Sequence, residues 1–181
     1  MQSTIVGTVV FASRRLTSPA ALQTPMPQRS AGILLYRLTG PEPEVLLVHP
    51  GGPFWARKDA GAWSTPKGLI DQDEAPLAAA QREFAEETGM APEGEPIALG
   101  DFRQKSGKIV TAFALRGDFD VARLRSNTFS MQWPPKSGVT TEFPEADRAG
   151  WFALAEAAKK IVPGQRPILD ALAERLRAHS L

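Results

Sequence analysis

The chain has no cysteine, one tyrosine, two histidines and an almost balanced charge. Without cysteine there is no disulfide, no thiolate nucleophile and no cysteine-based zinc site. A reducing cytoplasm is the compartment this suits. His49 and His179 are too few for a histidine-based triad or zinc centre. A formal net charge of +1 removes any bulk electrostatic grip on nucleic acid or an anionic membrane, so no strong nucleic-acid partner is expected. No apolar run approaches the roughly 18 residues of a membrane span. The Gly-x-x-x-x-Gly-Lys-[Ser/Thr] phosphate loop is also missing, which leaves a kinase or motor without support.

What is present describes one soluble domain. A hydrophobic fraction of 43% and a charged fraction of 23% over 181 residues allow a sizeable core. The first acidic residue is Glu42, and residues 17–30 are rich in Ser, Thr, Pro and Gln, as a linker would be. Residues 1–29 therefore read as an N-terminal extension, flexible or contributing an accessory strand. Arg14 and Arg15 follow the apolar stretch 4–12 instead of preceding it, which makes a poor secretory signal. Residues 30–181 read as the folded domain.

Short apolar runs at 31–37 and 44–49 flank Gly40, Pro41 and Pro43, and predict paired strands. A loop at 51–61 carries Phe54, Trp55, Arg57 and Lys58. Pro76 suits the first turn of a helix that Gly89 ends, with Leu77, Ala80, Phe84 and Thr88 on its core face. Residues 97–104 and 108–115 predict a second strand pair around Lys105-Ser106-Gly107. Residues 116–138 read as an irregular surface loop. Trp151-Phe152 predicts a further strand, and 154–161 and 167–178 predict helices. Strands interleaved with helices in mixed order point to an α/β sandwich.

The chemistry concentrates between Gly68 and Met90. Glu83, Glu86 and Glu87 lie three and four residues apart on one face of the predicted helix, with Glu74 upstream. Like charges at these spacings cost an isolated helix roughly 0.2–0.5 kcal/mol per pair. Either the face is merely solvated or a cation lies over it. Mg²⁺ or Mn²⁺, hard ions that take carboxylate oxygens, would suit it.

The order Gly68, five residues, Glu74, seven residues, Arg82-Glu83, Phe84, Ala85, Glu86-Glu87, Thr88, Gly89 resembles the signature box of the Nudix hydrolases. Phe84 and Met90 stand where that family usually has smaller aliphatic residues. The resemblance implies an α/β/α sandwich with a mixed sheet, and hydrolysis of a nucleoside diphosphate linked to another group. It implies Glu83 and Glu87 as principal metal ligands, Glu86 in support, and the backbone carbonyl of Lys67, beside Gly68, as a further ligand. Arg82 would orient a carboxylate, and Glu74 would brace the loop or reach a metal through water. Glu145 stands six residues before Trp151, where family members often carry a distal glutamate, and is a candidate ligand or general base; Glu142 is the alternative.

Substrate contacts are expected from the lead-in Trp63-Ser64-Thr65-Pro66-Lys67-Gly68, which resembles that of members cleaving dinucleoside polyphosphates and related nucleotides. Lys67 and Trp63 are the candidates there, and Lys105, Lys108 and Arg57 are candidate phosphate contacts. The expected partner is a small nucleotide, diadenosine polyphosphate or nucleoside triphosphate; a homodimer is compatible with the chain.

Two other readings fit parts of the sequence. Ser64-x-x-Lys67 with Lys105-Ser106-Gly107 fits a serine acyl-transfer pattern, but Pro66 biases Thr65 away from the helical turn this needs. A catalytically silent Nudix-fold module binding nucleotide or RNA would usually have lost box carboxylates, and all are present.

Overall fold

A computed structural model describes residues 27–178. Residues 1–26 and the expectations placed on them, together with His179, lie outside the described residues. The centre of the fold is β1 (Arg29–Arg37), whose apolar residues alternate between two faces. β5 (Ile109–Arg116) runs parallel to it along its whole length. β2 (Glu44–Pro50) pairs with its other edge antiparallel, but only at Tyr36–Val45 and Arg37–Glu44. β4 (Ile97–Arg103) and β8 (Ala146–Ala153) complete the path β4-β5-β1-β2-β8.

Below their short pairing, β1 and β2 diverge, and residues 63–69 fill the fork. β3 (Lys67–Leu69) pairs with Ser30, Ala31 and Gly32 of β1. Val48 and Ser64 exchange two backbone hydrogen bonds at 2.9 Å, and the Ile33 N–H donates to the Pro66 carbonyl at 3.1 Å. These bonds pair backbone groups that the divergence would otherwise strand. The sequence did not announce β3, since three residues hold no readable period.

Helices cover both faces of this mixed sheet, giving the α/β/α sandwich. α1 (Pro76–Thr88) packs Ala79, Ala80 and Phe84 against Ala31, Ile33, Leu35 and Leu46. α2 (Leu154–Lys160) and α3 (Arg166–Ala178) enclose Leu34, Tyr36, Val45, Leu47 and Ala112 on the other face. Gly89 ends α1 at φ 77°, and its N–H donates to the Ala85 carbonyl at 2.8 Å. That left-handed cap is open to glycine at little cost. Of the expected core face, Ala80, Phe84 and Thr88 are buried, Ala79 joins them, and Leu77 stays partly exposed.

The segment 116–138 is not the irregular loop that its prolines and glycines suggested. It holds a 3-10 turn at Val121–Arg123 and β6 (Thr128–Gln132). β6 pairs antiparallel with β7 (Thr140–Pro144) in a separate two-stranded sheet, with Phe129 opposite Phe143. Period-two alternation of Phe129 and Met131 was the available signal, masked by Trp133-Pro134-Pro135 immediately after it. Among the described residues, no helix is long and apolar enough to cross a membrane.

Phe84 is fully buried where α1 meets the sheet. Phe84→Ala should lower unfolding stability by about 3–5 kcal/mol. Urea unfolding of both proteins measures this; a loss under 1 kcal/mol would contradict the packing described.

Candidate active site

The outward side of α1 carries the carboxylates, and Arg82 organises them. Its Nε and Nη2 donate to the two oxygens of Glu74 at 3.0 and 2.9 Å. Its Nη1 donates to Glu83 at 2.8 Å and to Glu86 at 3.3 Å, and Nη2 also reaches the Leu69 carbonyl at 2.9 Å. One guanidinium thus spans three acidic side chains and the end of β3, a task suited to its planar fork of donors. The Arg82 hydrogen bonds, followed by the Asp71 N–H, hold the Glu74 carboxyl down to about 2. Glu74 and then Glu83 raise Arg82 above its ordinary value.

Glu83 lies against the Cα of Gly68. Any Cβ at that position would overlap the Glu83 carboxylate. The fork in the sheet is what brings this glycine to the helix, through the pairing of Gly68 with Ala31. Glu87 points deeper. It accepts the Lys67 backbone N–H, while its Oε2 is buried with no hydrogen-bond partner. Burial pushes the Glu87 carboxyl up to about 7, opposed by Lys67 and reinforced by Glu83 and Glu145.

Glu145 comes from the junction of β7 and β8, far along the chain, and a backbone relay seats it. The Asn127 N–H donates to the Glu86 carbonyl at 2.9 Å, the Glu145 N–H to the Asn127 carbonyl at 2.8 Å, and the Gly51 N–H to the Glu145 carbonyl at 3.0 Å. The Arg125 N–H meets the Thr88 carbonyl at 3.0 Å. Two terminal carbonyls of α1, which the helix cannot satisfy itself, are paired by this segment. The Glu145 carboxyl is raised by burial, then by Glu83 and Glu86. Its neighbours identify the place: Glu145 faces the acidic side of α1. Glu142 lies on β7 opposite Ser130 and is not among the groups that act on Glu87 or Glu145.

Of the lysines expected here, Lys67 and Lys108 are present. Lys67 neighbours Glu87; burial and then Lys67 hold the Lys108 ammonium below its ordinary value, with Glu83 opposing. Lys105 and Arg57 are exposed on their turns, and no contact joins either to the cluster. Trp63 requires a correction. It is 6% exposed, sits edge-on to His49 and Phe152, and donates its Nε1–H to Asp59 at 2.8 Å. That ring is core and cannot stack on a substrate. The aromatic groups that do reach the site are Phe54, Trp55 and Phe129, which with Met131, Glu87 and Glu145 line a cleft of about 500 Å³.

Residues 26–172 match the family model for the NUDIX domain. The chain belongs to the Nudix family. It is 32% identical over 123 residues to an RNA pyrophosphohydrolase of Mesorhizobium japonicum, covering 60% of this chain and 66% of that protein. It is 29% identical over 152 residues to an octanoyltransferase of Myxococcus xanthus, covering 84% of this chain but 36% of that one. The chain thus spans somewhat under two thirds of the first relative's length and about a third of the second's. In structure it is similar to the Ap4A hydrolase of C. elegans, with a TM-score of 0.59 and 21% identity over 82% of this chain and 98% of that chain. That likeness carries the fold alone.

Nudix enzymes generally use divalent metals. Three observations fit such an ion here: an all-oxygen donor set, the orphaned Glu87 Oε2, and the side-chain-free surface of Gly68. Against these stands a fourth. Among the described residues, no three carboxylates or imidazoles are already arranged to hold an ion. Arg82 engages Glu83 and Glu86, so the chain neutralises its own acidic face in this state.

The raised Glu87 carboxyl has a consequence for the metal-free protein. The folded state keeps a proton up to about pH 7, whereas an unfolded glutamate loses it near 4.5. Stability should therefore fall as pH rises between those values. Thermal melts in chelator should show this decline, and Glu87→Gln should flatten it. An equal slope in the variant would remove Glu87 as its source.

Proposed function

We propose that the chain is a Nudix pyrophosphohydrolase that splits a diphosphate linkage in a nucleotide. The observation that carries this reading is that Glu83, Glu86, Glu87 and Glu145, from two distant stretches of sequence, lie within electrostatic reach of one another, with Glu87 and Glu145 lining a cleft sized for a small molecule. Pyrophosphohydrolase relatives support the reaction class.

Glu83 and Glu87, with Glu86 and the Lys67 carbonyl beside Gly68, would hold Mg²⁺ or Mn²⁺. When bound, such an ion neutralises phosphate charge and acidifies a water. Lys67 and Lys108 place two ammonium groups beside the same carboxylates, where a phosphate chain must lie. Glu145, with its carboxyl raised, takes the proton of the attacking water as the new P–O bond forms and the bridging P–O bond breaks. Arg82 acts through the carboxylates it orients.

The favoured substrates are dinucleoside polyphosphates and nucleoside triphosphates, in the cytoplasm. The name of the Mesorhizobium relative adds 5′-triphosphorylated RNA to the candidates. A silent binding module is the second reading, favoured by the engagement of Glu83 and Glu86 with Arg82.

Purified protein supplied with Mg²⁺ or Mn²⁺ should hydrolyse at least one of these nucleotides, lose activity in chelator, and regain it when metal returns. Turnover by no nucleotide in either metal would favour the silent module. Glu83→Gln or Glu87→Gln should each lower kcat by about a hundredfold or more while leaving the fold intact. Near-normal rates in saturating Mg²⁺ would refute the assignment. Glu145→Gln should lower kcat by roughly a hundredfold and alter the pH–rate profile. An unchanged profile would take Glu145 out of proton transfer.

A further inference from the structure

The cleft beside the carboxylates has two unlike ends. At its floor are Glu87 and Glu145; its walls are Phe54 and Trp55 from the 51–61 loop and Phe129 and Met131 from β6. The remaining wall is the backbone of residues 50–53, and no lysine or arginine lines the space. Phe54 is 56% exposed and Phe129 36% exposed. Each is braced by another ring: Phe54 stands edge-on to Trp133 at 5.5 Å, and Phe129 lies tilted on Phe143 at 6.1 Å. Gly52 brings the two walls together, since a Cβ there would lie 3.1 Å from the Phe129 ring. The loop is tied down as well, by a hydrogen bond of 2.8 Å between Nε2 of the buried His49 and the Lys58 carbonyl.

We infer that this aromatic cleft is the nucleobase subsite, which takes the base by its flat faces and reads its edges little. The inference rests on the reading of the chain as an enzyme acting on nucleotides. Charge decides which end of a substrate enters. A phosphate would find two carboxylates lining the cleft, where the nearest cation, Lys58, is already engaged over the Trp55 ring at 4.5 Å, whereas Lys67 and Lys108 lie by the acidic cluster. A neutral planar ring fits the cleft, and its phosphates extend past Glu87 and Glu145 toward the lysines. A volume of about 500 Å³ is within the range of small-molecule sites. The lining offers π-faces but no amide or guanidinium side chain to pair with base edges, so purine and pyrimidine nucleotides should both bind.

Binding of nucleoside 5′-monophosphates and of ribose 5-phosphate, measured by calorimetry without metal, tests this apart from turnover. The monophosphates should bind and ribose 5-phosphate should not. Phe54→Ala and Phe129→Ala should each weaken nucleotide binding about tenfold. With hydrolysable nucleotides the same variants should raise KM more than they lower kcat. Val139→Ser, at an exposed position outside the cleft lining, should change neither. If the wild type hydrolyses nucleotides while both alanine variants keep its Kd and KM, the subsite is refuted and the enzymatic reading stands. If no nucleotide is hydrolysed but monophosphates bind in a Phe129-dependent way, the subsite stands and the enzymatic reading fails. Equal binding of ribose 5-phosphate would overturn the role of stacking.

Discussion

Four carboxylates kept within electrostatic reach of one another are the constraint around which this chain is built. In water they would drift apart. Here Glu83 is pressed against the bare Cα of Gly68, Glu87 is turned inward, and Glu145 is delivered from the far side. Arg82 offsets part of the repulsion by engaging Glu74, Glu83 and Glu86 together. Glu87 lies outside the reach of Arg82, and its Oε2 is buried without a hydrogen-bond partner. A buried polar atom without a partner is costly.

The sheet is shaped to serve that constraint. Because β1 and β2 pair at one end only, residues 63–69 can enter between them and place Lys67 and Gly68 beside α1. The helix then works on two sides. Ala79, Ala80 and Phe84 fix it to the sheet, so the carboxylates opposite are held by a rigid element and not by a loop. Rigid support of this kind is what a site needs to hold reacting groups in place.

Much of this was legible in the residues. Pro76 and Gly89 bracketed α1, and the box spacing put Arg82 in reach of Glu83 and Glu86, where the structure pairs them. The distance from Glu145 to Trp151 identified a residue that joins the cluster only through tertiary structure. What stayed hidden had physical reasons. Trp63 and Trp55 look alike in sequence, yet one is sealed in the core and the other faces the cleft. Lys105 and Lys108 flank the same glycine, and only the turn geometry separates the exposed one from the one near Glu83. In the 51–61 loop, charge drew attention to Arg57 while the aromatic neighbours form the wall. β6 was obscured because its alternation is brief and the adjoining Trp133-Pro134-Pro135 suggested a break.

The relay through Asn127 also divides the molecule by tolerance to change. Its backbone bonds to Glu86 and Glu145 close the root of the β6–β7 hairpin like a clasp. Residues beyond that clasp take no part in the bonds that set Glu145 against α1. Main-chain atoms carry the fastening, so it survives most substitutions along the arm. The position of Glu145 against α1 is thereby set apart from whatever the tip of the hairpin contacts.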